Sequence, residues 1–218
     1  MAKNLRYFET NAEYQAANLV FPSVSYVEDI DKVIYEPREI FKGKWLATYS
    51  NSTTRSATCD ASSAITQYEI VAANCVEVEI GDCVTSIGYG AFWGFTGLTS
   101  INIPNSVTSI GQKAFNYCSS ITSIDIPSGV TTIDTSTFNF CSGLTSIDIP
   151  SGVTSIGMYA FNGCISLTSV TVNATTPPTL GLFAGIPNCP IYVPSQSVEA
   201  YKTAQGWSDY ASRIYPIS

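Results

Sequence analysis

Two aspartates pose the first chemical question. Asp125 and Asp148 each sit in the sequence TSIDIP, which occurs twice. In adjacent stacked strands their Cα atoms would lie about 5 Å apart, a separation that superficially suits the carboxylate pair of a retaining glycosidase. A general acid, however, needs an enclosed site to raise its pKa. The equivalents of this pair are Asn102 and Thr171, and both aspartate side chains are expected to project from a sheet face into water. Carboxylate oxygens also suit calcium, so weak cation binding is a milder alternative to a solvated polar face.

The 218 residues contain no histidine. This removes Ser-His-Asp and Cys-His catalysis, imidazole metal sites and the usual proton shuttle near neutral pH. Neither G-x-x-x-x-G-K nor G-x-G-x-x-G occurs, so no phosphate loop is signalled. The sequence therefore assigns no catalytic residue, no metal ligand and no cofactor. With 10 basic and 17 acidic residues the net charge is −7, which argues against a nucleic-acid partner. No apolar run approaches the length of a membrane-spanning helix, so no membrane insertion is expected. No signal peptide is visible near the N-terminus. The expectation is a chain that is not secreted by the usual route or one whose leader is missing here.

Seven cysteines are present, an odd number, without a Cys-x-x-Cys motif. Cys118, Cys141 and Cys164 are evenly spaced, at the same interval that separates the two aspartates, and the spacing is that of a repeat. VTSIGYGAFWGFTGLTSINIPNS starts at Val84 and is followed without insertion by related segments starting at Val107, Val130 and Val153. Apolar columns run through all four copies: Ile87, Ile110, Ile133 and Ile156; Phe92, Phe115, Phe138 and Phe161; Leu98, Ile121, Leu144 and Leu167. One 23-residue coil cannot bury such a face alone, whereas stacked coils make a continuous core. The alternation in TSIDI predicts a short strand, stacked copies of which form a parallel sheet ended by Pro104, Pro127 and Pro150. V-T-x-I predicts a second short extended piece. The residues around the Phe column are left open between extended chain and a helical turn.

Cys118, Cys141 and Cys164 take the place held by Phe95 in the first copy, so they read as buried apolar side chains. A disulfide wants Cβ atoms converging at about 3.8 Å, which stacked neighbours do not offer. Asn116, Asn139 and Asn162 predict a buried amide ladder. Ser100, Ser123, Ser146 and Ser169 share one column and Thr99, Thr122, Thr145 and Thr168 another, as cross-strand hydroxyl pairs do.

The pattern V-T-x-I-x-x-x-A-F-x-x-C-x-x-L-T-S-I-x-I-P resembles the BspA-like, or Treponema pallidum-type, leucine-rich repeats over residues 84–172. The resemblance implies a right-handed solenoid and kinship with bacterial surface proteins linked to adhesion. The resulting fold class is a mainly β repeat solenoid with 23-residue coils and a parallel sheet, a small α+β N-terminal module and a helical C-terminal cap. The expected divisions are an attachment module at 1–50, a linker and cap at 51–83, the solenoid at 84–194 and a helical cap at 195–218.

In the module, Thr10-x-x-Glu13 opens a short helix, VSYVEDIDKVIYEP reads as a hairpin, and KWLATYS and RSATC add strands. It resembles leader modules of gut-bacterial and phage proteins, which implies attachment to a larger assembly. SSAITQYEIV reads as a short capping helix. LFAGIPNCPIYVP reads as a shortened fifth coil with Phe183 in the Phe column. In the tail, Val198, Tyr201, Trp207, Tyr210 and Ile214 are expected to seal the last coil.

Candidate ligand contacts fall into two groups. Asn102, Asp125 and Asp148 lie on the strand face. Tyr89, Trp93, Tyr117 and Tyr159 lie at positions that vary between copies, as do Gln112, Lys113, Phe140 and Met158; exposed aromatics there would make a sugar or protein contact face, and packing between coils is the alternative. The reading that follows is a non-enzymatic recognition protein that binds protein or glycan on a cell surface, located on a virion or a bacterial cell surface. The alternatives are a purely structural or decorative protein without a ligand, a bacterial adhesin, and, on the Asp pair alone, a hydrolase.

Overall fold

The computed structural model describes residues 25–27, 43–49, 54–58, 64–65, 74–181 and 185–217. The expected helix after Thr10, the part of the first hairpin beyond Ser25–Val27, and Phe183 lie outside these residues.

Each repeat makes one coil with three sides. The first side carries the T-S-I-x-I strands: β5 (Cys75–Ile80), β7 (Ser100–Asn102), β10 (Ser146–Ile149), β12 (Ser169–Val172) and β14 (Ile191–Val193). Adjacent strands pair in parallel one coil apart, as in Ser146↔Ser169 and Asp148↔Thr171. The second side carries two-residue strands from V-T-x-I: β6 (Ser86–Ile87), β8 (Ser109–Ile110), β9 (Thr132–Ile133), β11 (Ser155–Ile156) and β13 (Thr179–Leu180).

The third side settles what the sequence left open. It is neither helix nor strand but a run of tight turns. Ala114, Asn116 and Cys118 each donate their N–H three residues back, to the carbonyls of Gly111, Lys113 and Phe115. The intervening Lys113, Phe115 and Tyr117 donate across to Thr135, Thr137 and Asn139 of the next coil, at 3.0, 2.9 and 2.8 Å. Alternate amides thus close the turn and clasp the neighbouring coil, so this side has no unpaired backbone stretch to hide.

The core runs down the middle. Phe92, Phe115, Phe138 and Phe161 are 0–1% exposed. Their rings stack at centroid distances of 5.2, 5.6 and 5.7 Å, parallel to within 8°. Each such ring contributes on the order of 2 kcal/mol by burial. Cys118, Cys141 and Cys164 are free and buried, and each Sγ donates to a phenylalanine carbonyl of the preceding coil at 3.1 Å. Burial pushes the Cys118 and Cys141 thiols well up and the Cys164 thiol up to about 12, so they stay neutral and inert. Cys83, by contrast, is disulfide-bonded, a pairing that the odd count had left unassigned.

At the N-terminal end, β2 (Gly43–Tyr49) pairs antiparallel with both β3 (Thr54–Thr58) and β5, and β1 (Ser25–Val27) pairs with β3. The helix expected in SSAITQYEIV is not found at Ala64–Ile65. These residues form β4, parallel to β6, because Ile65 joins the buried file that Ile87 and Ile110 continue.

At the C-terminal end, α1 (Val198–Thr203) and a 3-10 helix (Trp207–Arg213) bury Tyr201 and Trp207 against each other, edge to face at 4.9 Å. The Tyr201 hydroxyl donates to the Ala174 carbonyl at 2.8 Å and the Trp207 indole to Pro178 at 2.6 Å. The tail then adds β15 (Ile214–Pro216), parallel to β14, a strand that the expected helical cap did not include.

One irregularity interrupts the first side. The segment 123–126 pairs with neither neighbour, so β5–β7 and β10–β12–β14–β15 belong to separate sheets.

Candidate functional site

The third side decides where exposed chemistry can sit. Each coil has two positions, four residues apart, at which the turn requires a left-handed backbone: Gly90 and Gly94, Lys113 and Tyr117, Ser136 and Phe140, Tyr159 and Gly163, with φ between 56° and 77°. Such a position favours glycine, because a Cβ there crowds the following carbonyl at a cost of about 1–2 kcal/mol. Five of the eight nevertheless carry side chains.

Three of them, Tyr117, Phe140 and Tyr159, join Tyr89, Trp93 and Met158 in an exposed ridge. Tyr89, Trp93, Tyr117, Phe140 and Tyr159 are 40–49% exposed, and Met158 is close to them at 39%. Tyr117 stacks on Phe140 with centroids 4.8 Å apart and planes 9° from parallel. Phe140 leans on over Gly163, where a Cβ would stand 2.6 Å from the ring. In the first coil Gly94 holds the place that Tyr117 and Phe140 hold in the next two, and nothing stands within 4 Å of where its Cβ would be. The column of rings thus begins with an open place. Lys113 reaches back to the first coil, its Nζ 5.2 Å from the Trp93 ring centroid and 5.7 Å from that of Tyr89. Cation–π contacts of this kind hold an ammonium without a carboxylate.

The predicted amide ladder lies just beneath. Asn162 Nδ2 donates to Asn139 Oδ1 at 2.9 Å, and Asn139 Nδ2 to Asn116 Oδ1 at 3.1 Å. The next rung back is Trp93, which offers no amide oxygen.

The strand-face group lies elsewhere on the coil. Asn102, Asp125 and Asp148 are exposed on the first side. Asp125 and Asp148 border an open groove of about 300 Å³ with Ser128, Pro150, Ser151 and Asn173. Among the described residues no group of three or more His, Cys, Asp or Glu could hold a metal ion. The seven candidate contacts therefore separate into an aromatic ridge (Tyr89, Trp93, Tyr117, Tyr159), an acidic groove (Asp125, Asp148) and Asn102, which lies on the same side as the groove but does not line it. The sequence marked the ridge residues as variable between copies. The left-handed backbone beneath three of its large side chains, Tyr117, Phe140 and Tyr159, was signalled only by glycines in the matching positions of other copies.

The model of the BspA type leucine rich repeat region matches residues 63–179 in six copies. The chain belongs to this family. No curated protein matches the chain.

Solved structures similar to this BspA-type chain include a leucine-rich cell-surface protein of Faecalibacterium prausnitzii, 30% identical over 56% of this chain and 39% of that one, TM-score 0.42. A T. pallidum leucine-rich-repeat protein is 22% identical over 71% of this chain and 90% of its own, TM-score 0.46. A leucine-rich-repeat protein of Bacteroides ovatus is 22% identical over 81% and 55%, TM-score 0.34. The chain spans well under half the length of the F. prausnitzii protein. Among the described residues no helix is long and apolar enough to cross a membrane.

Proposed function

We propose that this chain is a non-enzymatic recognition protein of a bacterial or viral surface, and that its binding face is the aromatic ridge of the solenoid. One observation carries the reading. Lys113, Tyr117, Phe140 and Tyr159 stand at left-handed positions where glycine is less costly, and their side chains are exposed or half-buried rather than placed in the core. Strain of this kind, kept where it adds little packing, fits a surface selected for contact. Membership of the BspA-type repeat family fits surface display, and the Cys83 disulfide fits an oxidising environment. Residues 1–50 would attach the solenoid to its carrier, an envelope or a virion.

The test applies the labelled full chain to intact bacterial and epithelial cells, beside W93A, Y117A and F140A on the ridge and D125A and D148A in the groove. Binding lost only in the ridge variants supports the reading. Binding lost only in the groove variants moves the site to the strand face. No binding to any cell leaves the structural, decorative role.

A further inference from the structure

At the Gly94 end of the ridge two side-chain donors, the Lys113 ammonium and the Asn116 amide, have no hydrogen-bond acceptor among the described residues. Lys113 is the single cation in residues 84–172. Its ammonium lies between the Tyr89 and Trp93 rings, with no carboxylate in salt-bridge range among the described residues. Asp134, on the next coil, spends its carboxylate on the Thr135 amide at 2.7 Å. Asn116 is 4% exposed. Its Oδ1 is occupied by Asn139, and its Nδ2 hydrogens have no acceptor among the described residues. Because every rung of the ladder donates toward the preceding coil, this buried amide is directed to the Trp93 end. A buried donor left unmatched is costly. Gly94 holds the place that precedes Tyr117 in the ring column, and nothing stands within 4 Å of where its Cβ would be. Lys113, Asn116 and Tyr117 lie within one turn of the second coil, which meets the first coil where Lys113 reaches Tyr89 and Trp93 and where the Gly94 amide donates to the Asn116 carbonyl at 2.8 Å.

We infer that this place takes a carboxylate-bearing sugar residue of a surface glycan, its pyranose ring stacked on Tyr117 over Gly94 and its carboxylate held by Lys113. The inference rests on the ridge being the binding face. A pyranose offers C–H groups to the aromatic face and hydroxyl oxygens to the amide donor. A carboxylate supplies the opposite charge to the Lys113 ammonium, and charge-assisted bonds of this kind are the stronger ones.

The full chain is titrated calorimetrically with tetragalacturonate and with sialyllactose, each beside its neutral methyl ester, and with a sulfated galactose tetramer. At least one acid is expected to bind, with its ester weaker by about tenfold. Lys113→Gln should bring the acid down to its ester, and Tyr117→Ala should abolish both. Lys113→Gly, which frees the left-handed turn, should lose the same selectivity while remaining folded by thermal melting. If both acids bind, their ratio distinguishes uronate from sialate. The inference is overturned if neither acid binds, if an ester matches its acid, if the sulfated sugar is preferred, or if Lys113→Gln keeps the selectivity. In those cases, loss of cell binding in Y117A would still leave the ridge as the binding face, whereas a chain that binds no cell would remove both readings.

Discussion

The Phe140 ring lies directly over Gly163, so a Cβ at residue 163 would stand 2.6 Å from Cδ1. Gly94 has the same φ of 77° with nothing near it. The two glycines share a backbone conformation and differ only in what covers them.

Gly94→Ala therefore carries the left-handed penalty alone, about 1 kcal/mol. Gly163→Ala carries that penalty and also displaces Phe140 from Tyr117, losing a stacking contact of about 0.5–1.5 kcal/mol. Urea unfolding of the two variants should rank Gly163→Ala as the less stable by about that difference.

Ser136 holds φ at 57° and is buried. Its hydroxyl makes no hydrogen bond among the described residues. Ser136→Gly removes the crowding and should stabilise the chain by about 1 kcal/mol, seen as a raised urea midpoint with an unchanged m-value.

The buried thiols give the chain a pH dependence of known sign. Burial raises the Cys75 and Cys164 thiols from 9.0 to about 12, and Cys118 and Cys141 shift in the same direction. Below pH 9 both folded and unfolded chains hold these protons, and the stability from neutral buried thiols is fully present. Above pH 9 the unfolded chain releases them while the folded chain does not. Stability then falls by about 1.4 kcal/mol per pH unit for each thiol until the folded values are reached. Denaturation followed from pH 8 to 11 should show this slope, and Cys164→Ala should flatten it by one thiol. A thiol reagent at pH 7.5 should leave Cys118, Cys141 and Cys164 unmodified until the chain unfolds.

Two large residues, Tyr201 and Trp207, hold the tail. Trp207 is fully buried and bonded to Pro178, so Trp207→Ala should cost about 3–5 kcal/mol. Because coils in a solenoid are stabilised by their neighbours, hydrogen exchange should report the loss first in β14 and β15.

The interior was legible from the sequence because it is repetition itself. Once per coil the same side chain meets its own equivalent, so the Phe, Cys and Asn columns could be read off directly. The third side was not, because alternating turn and cross-coil bonds produce neither a period of 2 nor one of 3.6. The left-handed positions were masked for a related reason: Lys113, Tyr117, Ser136, Phe140 and Tyr159 occupy places where a glycine would have announced the turn. Two further features lay beyond local reading. β15 is only three residues long and follows a helical stretch. The segments 123–126 and Ser146–Ile149 have the same sequence, SIDI, yet only the second pairs, and nothing in these residues explains the difference.

The final strand also determines what can happen at that end of the molecule. Ile217 donates inward to Val193, so the amides that look outward belong to Ile214 and Pro216. The first is already taken by the Ala211 carbonyl, and the second has no hydrogen to give. The outward edge of β15 therefore offers neighbouring chains carbonyl acceptors but no backbone N–H donor from Ile214 or Pro216.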